Sequence, residues 1–355
     1  MPPRSDPLGQ QRGVVLVVVL WLLVAMAVAA GMILLWSRER VADAQTARLG
    51  IEERIALIGA RDTLLYLGAR VPMTLGGQPL EPIPPGELAL RRLDEFGAFD
   101  KAPRGGELRL DDAPYLVPGG IVFRLQDEAG LVPIALPVNA PLVPWLRAAG
   151  VPRRDHAGLA DALGDYTDAD RLRRLHGAEA REYERDGRPP PPDRPLLAVA
   201  ELSQVAGFER LPAESLQALM ATATTLESGA LNLNTAPVAL LEAVVDRCDP
   251  RCRQAIAARA AQPFLSGSDF EARTGARLPG DRDVDFRTAP SQTLRLTLGG
   301  HSGRAWRLHV RWTPLADREA PWRIDAVDLV PRPVADEPPT PIEHPLFAAP
   351  PLAGP

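Results

Sequence analysis

The chain reads as an α+β protein led by a long N-terminal helix, and three observations carry that expectation. After Gly13 come 23 consecutive uncharged residues, Val14 to Trp36, followed without a turn by a helical pattern. Two blocks, one starting at 107 and one at 294, repeat their apolar residues with a period of two. Between them, from 141 to 286, the apolar spacing is helical. An antiparallel sheet interrupted by a helical insertion, behind a long helix, accommodates all three.

At a rise of roughly 1.5 Å per residue the uncharged run makes about 35 Å of helix, enough to cross a bilayer core of about 30 Å. Two processing readings compete here. A secretory signal peptide has the same basic head, here Arg4 and Arg12, and Ala27-Val28-Ala29 fits its small-residue cleavage pattern. Against it, the run continues through Met32-Ile33-Leu34-Leu35-Trp36, and Gln10-Gln11-Arg12-Gly13 abuts the run directly. This start resembles a class III leader of the type IV pilin superfamily, which implies a cut between Gly13 and Val14 that leaves the apolar segment on the mature protein. In that superfamily the fifth mature residue is usually glutamate; here it is Val18. Arg38 and Arg40 at the far end match Arg4 and Arg12 at the near one, so charge alone leaves orientation open. The leader resemblance implies a cytoplasmic N-terminus.

With 355 residues, 46% of them hydrophobic and 24% charged, the chain has material for a sizeable core beyond the membrane-length segment. The net charge is −5, and removing residues 1–13, which hold two Arg and one Asp, leaves −6. Such a surface has no general affinity for nucleic acid or anionic lipid. The 38 prolines cluster at 79–85, 188–195 and 331–355, marking linkers and a Pro-rich flexible tail from 332 to 355.

Residues 37–70 carry Val41, Leu49, Ile51, Ile55, Ile58, Leu64, Leu65 and Leu67 at helical spacing, with Glu52, Glu53, Arg54 and Arg61 opposite. That is an amphipathic continuation of the first helix, presenting a stripe to a folded body. Strands are expected around Glu107–Leu110, Ile121–Gln126 and Leu131–Leu136, broken by Asp111-Asp112, Pro118-Gly119-Gly120 and Asp127–Gly130. Later, Leu294–Leu298, Trp306–Trp312 and Trp322–Val330 predict a three-strand meander, with Trp306, Leu308, Val310 and Trp312 on its buried face and Arg307, His309 and Arg311 exposed. Helices are expected at 142–149, 157–165, 198–206, 212–222, 236–246, 251–261 and 267–273, with Asn234-Thr235 capping a helix whose first turn holds Pro237.

A second resemblance is more specific. Phe123-Arg-Leu-Gln-Asp-Glu-Ala-Gly130, Ala160–Asp170, Gly177-Ala-Glu179 with Tyr183, Val199-Ala-Glu-Leu202 with Val205-Ala-Gly207, Leu231-Asn-Leu-Asn-Thr-Ala236, and Pro263-Phe264 with Asp269-Phe270 occur in the order of the K component of type II secretion, a large minor pseudopilin. With the leader they cover most of residues 9–330. That family commonly lacks the glutamate at mature position five, as Val18 does. Two departures are Leu131-Val-Pro-Ile, where an Asn-containing segment often follows, and Gly164-Asp165-Tyr166, where an Asp-Trp pair is more typical.

The resemblance implies a prepilin leader at 1–13, a membrane-spanning and amphipathic helix at 14–70, and a pilin-like body at 71–140 and 288–331. It further implies an all-helical, SAM-like insertion at 141–287. It places the protein in the inner membrane as a single-pass subunit with a periplasmic globular domain, methylated at its new N-terminus and capping the tip of a pseudopilus. The implied partners are the I and J minor pseudopilins, the prepilin peptidase and the inner-membrane secretion platform, with no nucleic acid.

The alternative function, a periplasmic helix-hairpin-helix DNA-binding or uptake protein, rests on Asn232, Asn234 and Thr235. The next hairpin in such proteins is Gly-rich, whereas Val244–Arg251 has no glycine and two aspartates. Asp165, Asp168, Asp170 and Glu179 form the best candidate site, since calcium takes six to eight oxygens from closely spaced carboxylates and carbonyls; solvated acidic loops share the pattern, and the family resemblance favours calcium. Cys248 and Cys252 have no His within ten residues to complete a zinc site. In an exported domain, four-residue spacing on a helix suits a small disulfide; two free buried thiols remain the other reading. The five His (156, 176, 301, 309, 344) lie apart without nucleophile partners, and no Gly-x-Ser-x-Gly elbow or phosphate loop is present, so no enzyme is expected.

Overall fold

Between Arg12 and Arg70 no proline interrupts the chain, and the run forms one helix, α1 (Arg12–Arg70), ending two residues before Pro72. The computed structural model describes residues 12–82, 103–135, 137, 140–227, 229–245, 247–313, 320–333 and 337–348. Most of the expected leader, residue Leu136, and the tail positions 334–336 and 349–355 lie outside that set. The chain divides into two units, 1–56 and 57–355.

In the first unit the apolar side chains from Val15 to Trp36 are all exposed, within a helix that is long and apolar enough to cross a membrane. The expected stripe is not buried here: Val41, Leu49, Ile51 and Ile55 are exposed. An amphipathic pattern states which face can be covered, and only a packed neighbour covers it.

In the second unit the last turns of α1 bury Ala60, Leu64, Leu65 and Leu67. The strands β1 (Asp111–Val117) and β2 (Ile121–Asp127) form a hairpin across Gly119 and Gly120, whose φ of 87° and 74° suit glycine. Asp111-Asp112, expected as a turn, begins β1 instead: Asp112 sits at φ 66° where the register slips before Pro114, so turn chemistry is used as a bulge. The expected strand at 107–110 reduces to a bridge between Gln78 and Leu108. Beyond β2, β3 (Val132–Pro133) is only two residues long, Pro133 being unable to donate to a ladder.

The helices α2 (Leu142–Ala148), α3 (His156–Thr167), α4 (Ala180–Arg185) and α5 (Ala213–Ala221) follow. Residues 199–204, expected as α-helix, form a 3-10 helix. The short, highly charged α4 was not expected. Two-residue strands β4 (Ala223–Thr224) and β5 (Leu231–Asn232) precede α6 (Val238–Val244), α7 (Pro250–Ala258) and α8 (Gly267–Thr274); β6 (Phe286–Arg287) then pairs with β5 in parallel, as β4 does with β3. Ser266 caps α8 at Asp269, and Gly275 closes it at φ 71°. The insertion has its own core, with Trp145, Leu163, Tyr183, Phe208, Leu241, Phe264 and Phe270 buried.

The chain then returns to the sheet as the expected meander, β7 (Thr293–Gly299), β8 (Arg304–Trp312) and β9 (Trp322–Pro331), and adds β10 (Thr340–Pro341). The strand order is β10-β1-β2-β7-β8-β9, antiparallel except for β10 against β1. β2 and β7 are therefore direct neighbours, Asp127 opposite Leu294, although residues 128–292 intervene.

Both faces of this sheet are covered. Phe123, Leu296, Leu308, Val310 and Trp312 line one, where Trp312 lies directly on Gly68 of α1. The other meets the insertion: Arg295 Nη1 donates to the carbonyl of Ala221 at 2.9 Å and Arg311 Nη2 to that of Leu226 at 3.1 Å. The expectation of an exposed Arg307-His309-Arg311 face is thus overturned, while Trp306, expected inside, is partly exposed near the edge strand β9. The tail is also corrected. Residues 337–348 are ordered by β10 and by a 3-10 turn at Pro345–Phe347, with Ile342 and Phe347 buried and Phe347 stacked on Phe123 at 5.9 Å.

Candidate functional site

The acidic loop lies after α3, where the helix breaks and residues 171–174 form neither helix nor strand. Asp165, at the last turn of α3, is fully buried. Arg174 turns back over it: its backbone N–H donates to both Asp165 oxygens at 3.2 Å, and its Nη1 donates to Asp165 Oδ1 at 2.9 Å and Asp168 Oδ2 at 2.6 Å. Two glycines make this approach possible. A Cβ on Gly177 would stand 2.0 Å from Asp165 Oδ2, and one on Gly164 would stand 2.5 Å from Arg174 Nη1.

Glu179, 6% exposed, precedes α4. Burial and then the charges of Asp165, Asp193, Asp168 and Asp170 push its carboxyl up to about 7. Asp193 belongs to the same group although 14 residues separate it from Glu179; it adopts φ 49° and approaches Arg171 at 3.8 Å. Sequence reasoning missed it, its one signal being the break in the Pro-rich run at 188–195. Asp170 holds the loop through the N–H of Leu172 at 2.7 Å.

Three buried oxygens here, Asp168 Oδ1, Glu179 Oε1 and Asp193 Oδ1, have no hydrogen-bond partner among the described residues. Among the described residues, no group of three His, Cys, Asp or Glu side chains is gathered closely enough to hold a metal as it stands. The donor chemistry, hard carboxylate oxygens in excess of the donors available to them, nevertheless fits a hard cation.

The Asn232/Thr235 motif has a different use from the cap expected of it. Asp127, fully buried at the end of β2, accepts from Ala129 N at 3.1 Å, Ser291 N at 3.1 Å, Ser291 Oγ at 2.7 Å, Asn232 Nδ2 at 2.7 Å and Thr235 Oγ1 at 2.9 Å. Asn234 donates to the carbonyls of Phe264 and Thr288 and accepts from Phe264 N–H at 2.8 Å. The helix begins only at Val238, after Pro237. All three polar side chains are buried and committed internally, so this motif offers nothing to a phosphate backbone.

His309, expected on an exposed face, places Nδ1 at 2.6 Å from Oε1 of the buried Glu128. Burial raises the Glu128 carboxyl, but the His309 hydrogen bond and the Arg295 charge outweigh it and hold the group below the ordinary range. Cys248 and Cys252 are joined in a disulfide with Cα atoms 5.1 Å apart, at the start of α7, where Asp249 caps the N–H of Cys252. Gly13 and Val14 lie in the first turn of α1.

Two family models match in succession, both described as type II secretion system protein K: one over residues 144–227 and one over 231–288. Among solved structures, the chain is similar to one in the crystal structure of the GspK-GspI-GspJ complex from the enterotoxigenic Escherichia coli type 2 secretion system. The identity is 20%, covering 80% of this chain and 98% of that one, with a TM-score of 0.47. Comparison with curated proteins gives no match.

Proposed function

The chain belongs to the type II secretion system protein K family, and from that premise we propose that it is the minor pseudopilin at the tip of the secretion pseudopilus, priming its assembly and aiding export of folded proteins across the outer membrane. The observation that carries this reading is where the family's domains fall. They fill the excursion between β2 and β7 of an antiparallel sheet, in a chain that begins with a membrane-length helix. The family is a structural component of the secretion machinery, not an enzyme.

Val18 supports the terminal position. In pilin-like filaments the apolar helices bundle, and a glutamate at mature position five compensates the terminal amine of a neighbour; a buried unpaired charge is costly, so repeated packing needs that partner. Val18 cannot supply it, and an insertion of this bulk is hard to repeat along a filament. The partners are the I and J components, which the similar complex from E. coli also contains. Prepilin peptidase cuts between Gly13 and Val14, the new amine is methylated, and the chain rests in the inner membrane, next to the secretion platform, with its folded body in the periplasm. Co-purification of the full-length chain from detergent-solubilised membranes with the I and J components tests this. Recovery without either one, or a tagged chain found along the whole length of filaments, sinks it.

The acidic loop belongs to the same reading, as a calcium site in which Asp165, Asp168, Asp170, Glu179 and Asp193 hold the ion. The three unpartnered buried oxygens support it. The ion would add charge neutralisation to a loop of five carboxylates that Arg174 and Arg171 neutralise only in part. A ligand that binds only the folded state stabilises it by RT ln(1 + [L]/Kd), about 2.7 kcal/mol at a hundredfold excess over Kd. A melting temperature indifferent to millimolar calcium and to chelator removes the site; an intact response in Asp168→Ala moves the ligands elsewhere.

A further inference from the structure

We propose that Arg174 is a built-in counter-ion that fills the acidic loop of the metal-free chain and must swing out for a divalent cation to bind, so that this one side chain sets the site's affinity. The proposal rests on the calcium reading of the loop.

Arg174 occupies the position from which a cation would bridge the carboxylates. Its Nη1 lies between Asp165 Oδ1 and Asp168 Oδ2, at 2.9 Å and 2.6 Å, with the guanidinium pressed against the Gly164 backbone. Among the described residues, no three carboxylates gather at metal-binding separation in this arrangement. Yet Arg174 serves the cluster incompletely. A guanidinium is a flat fork of N–H donors on one plane and here reaches only Asp165 and Asp168, whereas the carboxylates whose charges bear on Glu179 come from several elements: Asp165 from α3, Asp168 and Asp170 from the following loop, and Asp193 from the Pro-rich segment. The oxygens it leaves unpartnered, Asp168 Oδ1, Glu179 Oε1 and Asp193 Oδ1, are those a compact ion taking six to eight oxygens would collect. Glu179 is more than nine-tenths buried, so solvent does not substitute for the missing partner.

Arg174 is also free to leave without unfolding anything. It sits on a stretch with neither helix nor strand, its side chain is 44% exposed, and a change of rotamer carries the guanidinium into water. Its neighbours keep their own anchors: Arg171 faces Asp193 at 3.8 Å and Arg173 faces Glu182 at 3.9 Å. A double charge that gathers more of the carboxylates displaces the single charge that reaches two of them, and the ion's apparent affinity is lowered by whatever Arg174 contributes to the empty state.

Calcium chloride alone, titrated calorimetrically into the EDTA-stripped full-length chain in detergent, tests this. Arg174→Met is expected to bind calcium about tenfold more tightly than the wild type, and Arg174→Lys to fall between them. Equal or weaker binding by Arg174→Met, with the wild type still binding, overturns the counter-ion role and leaves the calcium site standing. If no chain binds calcium, the site itself falls and the proposal with it. A measurement that needs no variant is phenylglyoxal labelling of the wild type followed by mass spectrometry. Calcium should speed modification of Arg174, and an unchanged or slower rate contradicts its release.

Discussion

Replacing Asp127 by Ala should unfasten the insertion from the sheet. The carboxylate stands at the end of β2 and collects donors from the first residue pair beyond the strand (Ala129), from the middle of the insertion (Asn232, Thr235) and from its last residues before β7 (Ser291). Not every donor is stranded when it goes. The Ser291 hydroxyl also reaches the carbonyl of Thr293 at 3.0 Å, and Asn232 Nδ2 also reaches that of Ala289 at 3.1 Å. Among the described residues the N–H groups of Ala129 and Ser291 have no second acceptor of this kind, and the Thr235 hydroxyl must turn elsewhere. At about 1–3 kcal/mol for each buried donor left unpaired, two amides cost about 2–6 kcal/mol. Burial of the carboxylate, which raises its protonation range, gives back part of this, so a net loss of about 3 kcal/mol is expected. Asp127→Asn keeps the shape but turns an NH2 toward donors on one side, and should lose less. Equilibrium denaturation of the full chain in detergent, followed by near-UV circular dichroism, measures both. Asp127→Ala within about 1 kcal/mol of wild type would refute the reasoning, as would strict additivity with Thr235→Val in a double-mutant cycle.

Gly68→Ala places a Cβ 1.9 Å from Trp312 Nε1, so overpacking should cost about 1–3 kcal/mol, measured by thermal melts and relieved when Trp312→Leu is added. Glu128 is held below its ordinary range in the fold, so its contribution is present above the ordinary carboxyl value of 4.5 and is lost as pH falls through the lower folded one. Glu128→Gln should therefore lower stability at neutral pH and flatten the acid limb of the stability–pH curve, whereas an unaltered acid limb would mean the His309 pair contributes nothing. Mass spectrometry of the mature chain should find methylated Val14 at the N-terminus; a start at Ala30 would replace the leader with a signal peptide, and a bulky residue at Gly13 should leave the precursor uncut.

The long helix, β2, the meander β7–β9 and most insertion helices were legible because each announces itself within a dozen residues: period two or 3.6 in the apolar positions, with glycine, proline or a cap at the ends. Phe123–Gly130 and Leu231–Ala236 were legible as marks of a family; the second falls inside the match at 231–288, while the first precedes both matches. The roles of their polar residues were not legible. Asn234 and Thr235 before Pro237 have the local look of a helix cap, and only the fold brings Asp127, 108 residues away, to claim the Thr235 hydroxyl.

Alternation along β8 assigned its residues to two faces correctly but could not say that both would be covered. One face meets α1, and the other meets an insertion whose own position is set by contacts such as Arg295 with Ala221. His309 therefore changed from a solvent-facing residue to the partner of a buried glutamate 181 positions away. The Pro-rich end carried the composition of a flexible tail, yet Ile342 and Phe347 find a place on the sheet beside Tyr115 and Phe123, and Thr63 of α1 donates to Leu346 across 283 residues. Arg174 and Asp193 joined the acidic loop in the same way. What the sequence determined by itself is what a segment can do with its own neighbours, namely its period, its breaks and its membrane-length run. Tertiary structure decided which surfaces and charges meet, because burial and hydrogen bonding reward contacts without regard to the length of chain between them.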